Sequence, residues 1–442
     1  MVMQELPAEI LQRILCHFRV SWDDDNELCE ENERRRFTLL SCMLTSKWLY
    51  RAALPILYHT VELSSLLFVR CCIRNPELPK LVRQMRVLPL DYAGLDVTDS
   101  LSPANTSSPR GPAGYFTMEA LKTIVPESCQ CSDWPFGSMI LGILPRLECL
   151  MLEDYVGIED YVPAEFVARC IGFGQNSKDS SICPLKKLRK VTIATDPDLP
   201  SAHIEVNLEH LGALLELPSI AALEGLRLTG PPFSNFDGFS TLKRLVLAST
   251  NLTPKKLIQV LSRCPELQDL ECEWPFDDED DSEEEPEIIN WSKMGEVLSQ
   301  HGTSLRCIKF EAHGYSDYTR QRNVANLSLL TKLCTLKLPA EVVADSISGT
   351  NAILGSRFPM TPMSELLPSS LTHLLVTSFW DDPANEAHLN CQMSMIMSLP
   401  KFLSLRSITV NRRGNSLGFS TNMEKDGWRI GNTEDGQMLT RG

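Results

Sequence analysis

Histidine and cysteine are the side chains from which nucleophilic, acid–base and metal chemistry is most often built, and the sequence holds eight of the first and 15 of the second. Neither type is arranged for such work. The histidines are dispersed with no His-x-x-x-His, and the chain contains no Gly-x-Ser-x-Gly, no phosphate-binding Walker loop and no dinucleotide-binding glycine fingerprint. Cys129 and Cys131 form one tight Cys-x-Cys pair, but no second pair at finger spacing completes a zinc site. We therefore expect a non-enzyme with no metal and no cofactor. The odd cysteine count, scattered among apolar residues, reads as buried free thiols in a reducing compartment.

Recognition chemistry is better represented. Arg227, Arg244, Glu271, Glu273, Lys309 and Lys337 recur beside apolar alternations and could make a polar recognition strip for another protein. Trp274 and Trp380 stand near it, either as aromatic anchors of the kind interfaces favour or as core. The formal charge is −15, yet residues 277–287 hold nine of the 57 acids, so the remaining 48 stand against 42 bases. With no basic surplus to neutralise phosphates, a nucleic-acid partner is not expected. The acidic run reads as a solvated loop that could also steer a basic substrate.

The elements that must position the strip are strands. An L-x-x-L-x-L spacing of apolar residues starts at Leu147, Leu188, Leu223, Leu242, Leu267, Leu305, Leu333, Leu371 and Leu405, with looser copies from Tyr58 and Val82. Alternation sends the last two apolar side chains of each match to one face, and the residues between and beside them to the other. The central readable positions are then Met151, Thr192, Arg227, Val246, Glu271, Lys309, Lys337, Leu375 and Thr409. Between the matches at Leu242 and Leu267, the residues Leu252, Leu257, Val260 and Leu261 form one helical face, with Thr253 as N-cap, Pro254 in the first turn and Pro265 as the stop. Strand, helix and strand at this period resemble a leucine-rich repeat of the cysteine-containing subtype, with Cys264 and Pro265 before the next strand. The implied fold is an α/β solenoid, irregular because several intervals are long.

At the N-terminus, Leu6, Ile10, Leu11, Ile14, Leu15 and Phe18 are helically spaced after Pro7, and a second apolar stretch from Phe37 to Tyr58 is divided at Thr45 and Ser46. Between them lies an acidic insert. The pattern Leu6-Pro7-x-Glu9-Ile10-Leu11-x-x-Ile14-Leu15, then Leu39-Leu40-Ser41-Cys42-Met43-Leu44-x-Ser46-Lys47-Trp48, closing on Ala53-x-Pro55-x-Leu57-Tyr58, resembles the F-box in its fungal form. An F-box before leucine-rich repeats is similar to the substrate receptors of Skp–cullin–F-box ubiquitin ligases.

That resemblance implies a three-helix F-box over 1–60 and repeats over 61–411, the latter carrying inserts at 97–114 and 277–287. It implies that Leu6, Pro7, Ile10, Leu11, Ile14, Leu40, Cys42, Met43, Leu44 and Trp48 dock a Skp-type adaptor, and through it a cullin–RING ligase, while the repeats hold a protein substrate. Several of the ten could instead form the three-helix core. The same residues also allow a non-degradative scaffold in which the F-box-like unit is only a cap. Residues 412–442 lack periodicity and read as a disordered polar tail. Without a signal-like N-terminus or a long apolar run, the expected location is cytoplasmic or nuclear, with no membrane contact.

Overall fold

The computed structural model describes residues 7–20, 27–63, 66–87, 136–153, 166–168, 170, 185–194, 206–229, 241–250, 252, 254–274, 291–312, 325–340, 362–378, 383–412, 427–433 and 436–441. Leu6, Cys129, Cys131, Thr253, Trp380 and the inserts at 97–114 and 277–287 lie outside these residues. The chain divides into two units, Met1–Ile204 with His210–Ile220, and Glu205–Glu209 with Ala221–Gly442.

The first unit begins with helices α1 (Ala8–Cys16), α2 (Glu27–Thr45) and α3 (Lys47–Leu57). Their apolar periodicity closes a small core of Leu11, Leu15, Leu39, Leu49, Ala53 and Ile56. Ser46 separates α2 from α3 as an N-cap, its hydroxyl accepting from Leu49 N at 3.1 Å. The acidic insert is helical from Glu27 on. Arg34–Glu30 at 3.3 Å and Arg35–Glu31 at 3.0 Å are i, i+4 pairs, and Arg35 Nη1 also donates to Arg19 O at 3.2 Å. Such exposed pairs contribute only about 0.3–0.5 kcal/mol each. Together with the backbone bond they extend α2 toward its N-terminus rather than let the whole insert loop out.

Parallel strands β1 (Thr60–Leu63), β2 (Gln84–Val87), β3 (Cys149–Glu153) and β4 (Lys190–Ala194) follow, so the two looser copies from Tyr58 and Val82 are strands of the same ladder. Val61, Met85, Leu150 and Val191 share one row and are all buried. The helices connect to β1 and β2 through Arg36–Glu62 at 3.7 Å and through His59 O, which accepts from Arg83 N and Gln84 N.

In the second unit, β5 (Val206–Asn207) and β7 (Leu228–Thr229) make a short parallel pair. The main ladder is parallel and runs β6 (Ala222–Leu226), β8 (Arg244–Ala248), β9 (Asp269–Trp274), β10 (Cys307–Ala312), β11 (Thr335–Pro339), β12 (His373–Ser378), β13 (Ser407–Arg412). Leu223, Leu245, Leu270, Ile308, Leu336, Leu374 and Ile408 form its buried row. Each such side chain stabilises the fold by roughly 1.5–3 kcal/mol on burial. Helices Pro254–Ser262, Trp291–His301 and Pro383–Ser398 bury Leu257, Val260, Met294, Leu298, Met393 and Ile396. One strand per apolar triplet, with parallel neighbours and intervening helices, is an α/β architecture of the leucine-rich-repeat type.

The C-terminal segment corrects the expectation of a disordered tail. Strands β14 (Trp428–Thr433) and β15 (Gly436–Arg441) form an antiparallel hairpin whose β15 pairs antiparallel with β13. Trp428 and Leu439 are buried by it, and the Arg441 guanidinium lies 5.9 Å from the Trp428 ring. The hairpin occupies the edge that a parallel ladder would otherwise leave open.

His59, between α3 and β1, is half-buried. Burial, with Arg19 and Arg83 adding repulsion, lowers its pKa to about 4. Because the folded value lies below the unfolded one, stability is fully present above about pH 6.5 and falls as pH drops toward 4. Allowing for solvent screening, His59 should account for ~1–2 kcal/mol of that loss. His59→Gln should therefore lose less stability than wild type between neutral pH and pH 4 in urea titrations. Equal losses would refute the assignment.

Candidate functional site

The charged positions of the sheet face are set by strand register. In β8 to β11 the alternation turns Leu245, Leu270, Ile308 and Leu336 inward and leaves Val246, Glu271, Lys309 and Lys337 half-exposed in one row on the other face. Lys309 Nζ pairs with Glu271 at 3.0 Å, Lys337 with Glu311, and Arg244 with Glu224 at 3.1 Å. Five of the six expected strip residues, Arg244, Glu271, Glu273, Lys309 and Lys337, thus lie on the strands and on this face.

Arg227 does not, and it requires a correction. The expected triplet from Leu223 is displaced by three residues: Leu223 pairs with Leu245, so the row begins at Ile220 and the readable position is Glu224, opposite Val246. Arg227 lies past the strand end at φ 53°, its N–H donating to Ala248 O at 2.9 Å. The physical cause is Gly225, which faces the core without a side chain. Fully buried Leu228 fills the space, and a Cβ at 225 would sit 2.3 Å from Leu228 Cδ1. A leucine three residues late in sequence thereby does the work of the missing one, and the pattern Leu223-x-x-Leu226-x-Leu228 imitates a repeat.

Trp274 is core. It packs against Trp291 and Phe310 at centroid distances of 6.1 and 5.9 Å, and its indole N–H donates to Leu252 O at 3.1 Å. Burial also governs the thiols: Cys264 is pushed up to about 12, and desolvation raises Cys272 and Cys307, which suppresses thiolate chemistry at all three. The reading of uniformly buried thiols does not hold, since Cys16, Cys71, Cys334 and Cys391 are exposed. Among the described residues no group of three or more His, Cys, Asp and Glu side chains could hold a metal, and no helix is long and apolar enough to cross a membrane.

The N-terminal helices sort the expected docking residues by exposure. Pro7 is exposed and starts α1, its carbonyl accepting from Ile10 N and Leu11 N. Ile10, Ile14 and Leu40 are more than two-fifths exposed, and Leu44 is 89% exposed. Cys42, Met43 and Trp48 are partly buried and pack on the core. Leu11 is 1% exposed and belongs to that core, so it has no surface to offer a partner. Phe37, 68% exposed, was not among the ten, although the spacing Phe37, Leu40, Leu44 (i, i+3, i+7) places it on their stripe of α2. Exposed Tyr50 on α3 was also missed.

No protein-family model matches the chain, and no curated protein matches it. Among solved structures it is similar to an internalin from Listeria monocytogenes, with 13% identity and a TM-score of 0.31, over 65% of this chain and 68% of that one. The parallel register and its leucine rows, not this likeness, define the fold.

Proposed function

We propose that the chain is a non-catalytic substrate receptor of a Skp–cullin–F-box ubiquitin ligase, acting in the cytoplasm or nucleus. The helical unit would dock a Skp-type adaptor and the open sheet face of the second unit would hold a protein substrate. The observation that carries the adaptor half is the set of large apolar side chains left in solvent, Ile10, Ile14, Phe37, Leu40 and Leu44, on helices whose core is already closed by other residues. Apolar stripes of this kind are a common mark of a partner surface.

The test is capture of a purified Skp adaptor by the full chain beside its Leu44→Glu variant. Leu44 touches solvent in the free protein, so the variant should keep its fold while adaptor capture drops ~10-fold or more. Wild-type protein that captures no adaptor would overturn the proposal.

A second reading, a non-degradative scaffold with the helices as a cap, draws support from the contacts tying them to the first strands, Arg36–Glu62 and Arg83 N–H to His59 O. It requires that neither protein capture the adaptor and that disrupting Arg36–Glu62 expose β1.

A further inference from the structure

Strand β14 ends its sheet: among the described residues it pairs with β15 and with no strand beyond. Register shows which of its backbone groups face outward. Arg441 N donates to Arg406 O at 2.9 Å, so Arg441, Leu439 and Gln437 turn their backbone groups toward β13, and Thr440, Met438 and Gly436 turn theirs toward β14. Arg429, Gly431 and Thr433 are the partners of that second set, which leaves the N–H and C=O groups of Trp428, Ile430 and Asn432 pointing away from the sheet. The side chains of this edge are also incompletely satisfied. Ile430 continues the inward row of Ile408 and Leu439 but, unlike them, is only half-buried, and the indole N–H of Trp428 is buried with no acceptor. Charge gives an independent observation. Residues 405–442 hold six bases against four acids in a chain of formal charge −15, and β13, β14 and β15 themselves contain no Asp or Glu. Arg406, Arg441 and Arg429 lie in neighbouring register at the open end of the hairpin, with no ion pair among the described residues. The contact of Arg441 with the Trp428 ring carries its charge toward β14.

We infer that the outer edge of β14 takes up, by strand pairing, an extended segment of a partner protein in which acidic and apolar residues alternate. Backbone bonds to Trp428, Ile430 and Asn432 supply pairing that any sequence can make, and the alternation supplies selectivity. An acidic side chain beside Arg429 falls on one face of the sheet, and the apolar side chain beside Ile430 falls on the other, where it closes the inward row. This surface is distinct from the helical stripe and from the charged face of β8 to β11, and it stands whether or not the helices dock an adaptor.

The test titrates the full chain with fluorescent Glu-Val and Lys-Val alternating octapeptides, reading anisotropy at ~150 mM salt. The Glu-Val peptide should bind and the Lys-Val peptide should not. Arg429→Glu, at an exposed position, should weaken Glu-Val binding by ~10-fold or more. Ile430→Pro should abolish it, because the N–H it removes points outward and bonds no strand of the hairpin. Two N-methylated Glu-Val peptides test the backbone bonds with the protein unchanged, which guards against misfolding of the proline variant. Methylation of one alternate set of amides should abolish binding, and methylation of the other set should spare it. Sedimentation of the free chain should show a monomer; a dimer that Ile430→Pro dissociates would assign the edge to a second copy and overturn the inference. Equal binding of both peptides, unchanged affinity in Arg429→Glu, or equal effects of the two methylated sets would also overturn it. So would no binding at all, which would make Arg429 and Gly431 guards of an edge kept unpaired.

Discussion

Trp274→Ala is expected to lower the stability of the second unit by about 3–5 kcal/mol. The side chain is 3% exposed, packs edge-on against Trp291, and is tilted against Phe310. Truncation therefore removes a large apolar contact area, leaves a cavity between two aromatic rings, and deprives Leu252 O of its indole donor. Trp274→Phe keeps most of the ring and loses the hydrogen bond, so its cost should be nearer 1–3 kcal/mol. Repeat arrays need not unfold in one step, so the measurement is hydrogen exchange at the amides of β9 and β10, with urea unfolding followed by near-ultraviolet circular dichroism. A loss below ~1 kcal/mol in Trp274→Ala would mean that the ring is not an essential part of the core.

The same residue shows what the sequence makes legible. Trp274 follows the triplet from Leu267, and its alternation with Leu270 and Cys272 already placed it on the inward face; only its proximity to the charged strip suggested an anchor. Triplets were readable because a buried parallel strand demands apolar side chains at fixed offsets. Register failed only at Gly225, where the core side chain comes from Leu228 after a left-handed turn, a substitution in space that spacing cannot reveal. The C-terminal hairpin was missed for a different reason. Among its described side chains only Trp428 and Leu439 are buried, and the hairpin is joined to β13 by backbone pairing, which leaves no mark on composition. For the acidic insert, Glu30–Arg34 and Glu31–Arg35 are helix pairs by spacing alone, a signal that apolar periodicity does not register. In the N-terminal unit, helical period predicted the helices yet could not separate inward from outward residues where both are apolar.

That separation leads to the second large effect, on α1. Leu11→Ala should destabilise the three-helix unit by about 2–5 kcal/mol, since Leu11 is enclosed by Leu15, Leu39, Leu49, Ala53 and Ile56. Three small helices hold little apolar surface to spare, so this loss should open the whole unit. Ile14→Ala removes a side chain of similar size from the same helix, but one that is 41% exposed, and should change stability by less than ~1 kcal/mol. Adaptor capture should respond to both, for different reasons: Leu11→Ala through loss of fold, Ile14→Ala through loss of contact. The two are distinguished by protease protection of α1 in the free protein, which should be lost in the first variant and kept in the second. Full adaptor capture by a protected Ile14→Ala protein, joined to full capture by Leu44→Glu, would leave the exposed stripes without a role in docking. The helical unit would then be a cap whose apolar surface serves something other than the adaptor.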